Sequence, residues 1–100
     1  MDKLHLLRLR FPVIITYKHN LKWKGKHACS GLYEWDKHNR THTITVEMGR
    51  SSVDTRNIIA HEYIHAWQCE QGLKLSHGLV FKWWAEFFNN NYGYSISKLQ

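Results

Sequence analysis

The sequence predicts a small α+β domain, a three-stranded antiparallel sheet followed by two helices. Three observations lead there. β-Branched and aromatic runs separated by turn chemistry fill the first half of the chain, and apolar positions recur at helical spacing in the second. The chain's 100 residues, 43% of them hydrophobic, suit one core and exclude a disordered or fibrous protein. Residues 1–100 are therefore read as a single domain.

The first strand is expected over residues 13–17, the β-branched and aromatic run Val13, Ile14, Ile15, Thr16, Tyr17. A second is expected over 28–35, centred on Leu32 and Tyr33, and a third over 41–48, where Ile44, Val46 and Met48 alternate with polar residues. Residues 36–40, Asp-Lys-His-Asn-Arg, have turn chemistry, so the last two strands should form an antiparallel hairpin, and Gly49 closes the third strand.

A helix follows. Ser51 or Ser52 can cap it, Asp54 suits its positive end, and Gly72 is placed to stop it. At 100° per residue, Ile59, Ala60, Tyr63, Ile64, Ala66 and Trp67 share one arc. His61, Glu62, His65 and Cys69 fall on the opposite one, with Ile58 as their apolar companion. The helix thus has a packing face and a separate polar face. A second helix is expected over about 78–91, with Val80, Phe81, Trp84, Phe87 and Phe88 on one side and His77 leading into it. The stretch from Tyr92 to Ile96 should pack on the core as a short tail.

The formal charge is +6, with Lys3, Arg8, Arg10, Lys18, Lys22, Lys24 and Lys26 all in the first half, which favours an acidic partner such as DNA. The run Lys22, Trp23, Lys24, Gly25, Lys26 could stack a base and neutralise phosphates. It reads equally as a solvated hairpin turn. Cys29 and Cys69 form no CxxC pair, and neither an export signal nor a run long enough for a membrane span is evident. The expectation is a cytoplasmic protein with free thiols and no membrane partner.

The chemistry lies in "HEYIHAW", residues 61–67. Residues four apart on a helix stand one turn above each other, so His61 and His65 can aim at one ion. Zinc accepts neutral imidazoles, and a catalytic site adds a third protein ligand and a water. Glu62, beside the first ligand, can take that water's proton and deliver it to a leaving amine. Two residues compete for the third ligand position. Counted from His77, Glu86 falls at about 180°, away from the face carrying Phe81, Trp84 and Phe88. His77 leads into that face and is favoured. Gln68 and Gln71 stand where the metzincin pattern needs glycine and histidine.

The paired stretches His61-Glu62-xx-His65-Ala66-Trp67 and His77-Gly78-xx-Phe81-xx-Trp84 resemble the SprT-like zinc metalloprotease domain, the Spartan and Wss1 type. The likeness spans roughly residues 13–90. It implies a small zincin-like fold, Zn2+ bound by His61, His65 and His77, and Glu62 as catalytic base. It further implies a protein substrate, of the DNA-associated class. No cysteines are present for the C-terminal zinc ribbon that some members carry.

Other residues have plainer expected roles. Cys69 is read as a small packing residue, and Trp67, Phe81 and Trp84 as core walls that hold the ligands. His5, His19, His27, His38 and His42 are expected at the surface. The third strand is expected at the cleft edge, where an extended substrate would add to it. Tyr33, Tyr63, Tyr92 and Tyr94 are candidate oxyanion donors, Tyr63 the weakest because it lies on the packing face. The resulting reading is a zinc-dependent metallopeptidase that hydrolyses peptide bonds with a metal-activated water. The rival is a basic DNA-binding module with a structural zinc and no proteolytic activity.

Overall fold

A computed structural model of the chain describes residues 3–23 and 27–98. Lys24, Gly25 and Lys26, at the tip of the basic run, lie outside the described residues. A 3-10 turn at Leu4–Leu7 precedes β1 (Val13–Lys18), a short hairpin of β2 (Lys22–Trp23) and β3 (His27–Ala28), then β4 (Gly31–Asp36), β5 (Thr41–Glu47), α1 (Ser52–Glu70) and α2 (Leu79–Tyr92).

The α+β class holds, but the sheet is mixed, not antiparallel. Its order is β1-β5-β4; β4 pairs antiparallel with β5, while β1 pairs parallel with it, Ile15 opposite Ile44 and Tyr17 opposite Val46. The β4–β5 relation follows from the tight turn between them. Asp36 Oδ1 accepts from the backbone N–H of His38 and Asn39 at 3.0 and 3.1 Å, closing an Asx turn. No such turn ties β1 to β4. The chain between them carries the β2–β3 hairpin and delivers β4 to the far edge, leaving room for β5 in the middle. Period-two alternation is the same in parallel and antiparallel pairs, so only the long-range pairing distinguishes them.

The central position of β5 also overturns the expectation that it edges the cleft. The cleft-side edge is β4. Ile44 and Val46 of β5 are fully buried beneath α1.

α1 begins where Ser51 Oγ accepts the Asp54 N–H at 3.1 Å and ends before Gly72, whose φ of +72° suits a residue without a Cβ. It is packed on both sides. One cluster joins Ala60 and Ile64 to Leu4, Leu7, Phe81 and Phe88; the other joins Ile58 and Ala66 to Tyr33, Ile44 and Val46. The two arcs read from the sequence exist, but the polar one is buried too, with His61 at 2% exposure and Glu62 at 4%. Tyr94 and Ile96 anchor the tail in the first cluster. Among the described residues, no helix is long and apolar enough to cross a membrane.

Candidate metal centre

α1 lifts His61 and His65 from consecutive turns toward the loop before α2, and that loop brings His77 to them. The Nε2 atoms of His65 and His77 lie 3.2 Å apart, those of His77 and His61 3.0 Å. Four nitrogens around a tetrahedral zinc at about 2.0–2.1 Å stand about 3.3 Å from one another. The spacing fits such an ion. Among the described residues this trio is the one cluster of His, Cys, Asp or Glu able to hold a metal. Glu86 is exposed on α2 and Cys69 stands apart from the trio.

Two of the rings are oriented from behind. The Nδ1–H of His61 donates to the Ser97 carbonyl at 2.7 Å, and that of His65 to Gln68 Oε1 at 2.8 Å. A proton held at Nδ1 leaves the Nε2 lone pair facing the centre, the tautomer a metal requires. Gln68 also donates from Nε2 to the Ser76 carbonyl at 3.1 Å, tying the His77 loop to the helix that carries His65. Phe81 closes the back, its ring centroid 4.8–5.2 Å from all three imidazoles.

The electrostatics match. Burial lowers His61 to about 3, helped by the neighbouring His65 and His77 and opposed by the Ser97 carbonyl. Burial also lowers His65 and His77. The rings stay neutral and free to bind a cation at physiological pH. Glu62 lies 3.8 Å from His61 Nε2, and burial raises its carboxyl to about 8. Such a carboxyl ionises readily only when a cation sits nearby.

The trio opens into a cleft of about 390 Å³ whose other walls include Trp23, Gly31, Tyr33 and Leu75. A Cβ at Gly31 would stand 2.5 Å from Ile58 Cγ2 and 3.1 Å from Glu62 Oε2. β4 approaches Glu62 this closely only because position 31 has no side chain.

Several of these partners were missed in the sequence. Gln68 lies three residues after His65 on the same helical face, a spacing that could have singled it out. Ser97 and Gly31 are remote from the motif and carried no signal. His42 corrects an expectation: it is fully buried, not at the surface. Tyr33 O–H donates to its Nδ1 at 2.7 Å, and its Nε2–H donates to Glu70 at 2.5 Å. The Tyr33 hydroxyl is therefore committed away from the cleft. The other four histidines are exposed as expected.

A family profile described as the SprT-like family matches residues 6–99. The chain belongs to the SprT-like family. The match extends beyond the 13–90 span of the likeness at both ends, taking in the end of the 3-10 turn and the tail whose Ser97 carbonyl orients His61. No curated protein and no solved structure gives a significant match to this SprT-like chain.

Proposed function

We propose that residues 1–100 form a single SprT-like metallopeptidase domain that hydrolyses peptide bonds with zinc held by His61, His65 and His77 and with Glu62 as base. The observation that carries this reading is the convergence of three neutral imidazole Nε2 atoms beside one buried carboxyl. The donor set fits zinc, which takes neutral nitrogen ligands in a tetrahedral arrangement and keeps one position open when catalytic. Held by these three residues, zinc would supply Lewis acidity for activating water and polarising a substrate carbonyl.

The chain's own groups do the rest. Glu62 would accept a proton from the attacking water and return it to the leaving amine, its carboxyl being ionised once a cation is held beside it. Ser97 and Gln68 hold the ligand rings in place. β4, at the sheet edge and along the cleft, offers its open backbone to an extended substrate, a mode with little dependence on substrate side chains. The family resemblance and the charge of +6 support DNA-associated proteins as the substrate class.

The test pairs zinc analysis with a cleavage assay on DNA-bound and free proteins. Glu62→Gln should retain one zinc per chain and lose cleavage. His77→Ala should lose the zinc and Glu86→Ala should not. Cleavage undiminished in Glu62→Gln would refute the assignment. Salt-sensitive DNA binding in wild type and Glu62→Gln, without proteolysis in either, would establish the structural-zinc module instead.

A further inference from the structure

At the sheet edge opposite the cleft, β1 is uncovered. The Pro12 carbonyl accepts from the His42 N–H at 2.9 Å and the Lys18 carbonyl from the Met48 N–H at 3.0 Å, so these even-numbered residues face β5. By alternation, Val13, Ile15 and Tyr17 turn their N–H and C=O groups outward. Among the described residues no strand pairs with that edge. Ile14, Ile15 and Tyr17 are 48, 38 and 55% exposed there. Natural edge strands are usually short, charged or covered; an open apolar one is a template for another chain.

Beside β1, on the face toward α1, runs a groove of about 860 Å³. Leu4, Tyr17 and Ile59 form its apolar part, and Arg50, Arg56 and the first turn of α1 its polar wall. Arg56 is held in place: its guanidinium donates to the Tyr92 and Gly93 carbonyls at 3.2 and 3.4 Å and lies 3.6 Å from the Tyr94 ring centroid. All three of these acceptors are neutral, so the charge of Arg56 is fixed in position and, among the described residues, paired with no carboxylate. Arg50 pairs with Glu47 at 2.9 Å on the surface, a contact weak enough to be exchanged.

We propose that the β1 edge and its groove bind an extended acidic segment of a partner protein, which adds to β1 as a further strand. Alternate side chains of that segment would rest on Tyr17 and Ile59 and reach Arg56 and Arg50 with their carboxylates. A second copy of the chain is disfavoured, because Lys18, Arg50 and Arg56 would meet their own like charges. Nucleic acid has no use for three exposed apolar side chains or an open backbone edge. The site is remote from the metal centre and does not depend on the peptidase reading.

The test is fluorescence anisotropy with a short labelled peptide alternating valine and aspartate, beside its valine–lysine counterpart and a single-stranded oligonucleotide. The acidic peptide should bind at least tenfold more tightly than the lysine peptide. Ile15→Pro removes one outward N–H and leaves the β5 pairing intact. Arg56→Gln removes the charge but can still donate to the carbonyls. Each should weaken the acidic peptide at least tenfold, with zinc content unchanged. Should Ile15→Pro unfold the chain, Tyr17→Glu, at an exposed side chain of the same strand, should weaken the acidic peptide to the same extent. Equal binding of both peptides, binding of neither, or indifference to the variants overturns the proposal. So does tighter binding of the oligonucleotide that survives Ile15→Pro, or a dimer in sedimentation that Ile15→Pro dissolves.

Discussion

The carbonyl of Ser97 accepts the Nδ1–H of His61 at 2.7 Å, joining the chain's tail to the first histidine of the motif across 36 positions. The tail thereby orients a ring that the helix alone would leave free to rotate. Truncation after Ile96 keeps Ile96 in the core and removes this acceptor. It should weaken zinc binding about 10- to 100-fold, the usual cost of losing such a partner. Competition with a chelator indicator measures it. Loss of Lys98, a cation near His77, acts in the opposite direction, so weakening is attributable to Ser97.

Gln68 is 1% exposed and links His65 to Ser76. Gln68→Ala strands His65 Nδ1 and the Ser76 carbonyl together. A loss of about 1–3 kcal/mol in stability, with weaker zinc binding, is expected from chemical denaturation and metal titration. Gln68→Glu restores an acceptor for His65 but not the donor to Ser76. It should recover zinc affinity more fully than stability.

Gly31→Ala places a methyl group against Ile58 and Glu62. Overpacking of this kind costs about 1–3 kcal/mol. Because the added methyl would meet Ile58 and Glu62 and none of the three histidines, the variant should keep its zinc while peptidase activity falls by at least tenfold. Parallel zinc analysis and cleavage assays separate the two effects.

The carboxyl of Glu62, raised to about 8 by burial, is protonated at pH 7 in the metal-free chain. The three imidazoles are neutral there, since burial lowers each of them. A bound divalent cation favours the carboxylate. Zinc binding at pH 7 should therefore release close to one proton, and in Glu62→Gln almost none. Calorimetry in buffers of different ionisation enthalpy gives the count. In the metal-free protein the folded pKa lies above the usual carboxyl value, so the folded state binds the extra proton between about 4.5 and 8. Stability relative to Glu62→Gln should fall as pH rises through that window.

Glu70 behaves in the opposite sense. Burial pushes its carboxyl up, but hydrogen bonds from His42 and from the Arg10 and Phe11 N–H groups outweigh it and hold the pKa below normal. The stability Glu70 contributes is present above the ordinary carboxyl pKa and is lost as pH falls through the lowered folded value. Glu70→Ala leaves His42 without its acceptor deep in the core and should cost about 2–4 kcal/mol near neutral pH. Urea unfolding at pH 7 and at pH 3 should show the penalty shrinking in acid.

Legible from residue pattern were the class of fold, the two helices and the capping of the first, the hairpin of the last two strands, and the three histidines that meet. All of these rest on local rules. A cap is set within three residues, and two ligands one helical turn apart share a direction wherever the helix is placed. His77 was reachable because its loop directly joins the two helices. Tertiary structure alone decided that β1 runs parallel to β5, that β4 and not β5 walls the cleft, that His42 is buried against Glu70, and that the Ser97 carbonyl backs His61. Those relations join residues 28 or more positions apart or turn on the order of strands in the sheet. Alternating side chains read the same for either strand direction, and a backbone carbonyl carries no mark of its own in the sequence, so only the packed chain reveals which groups meet.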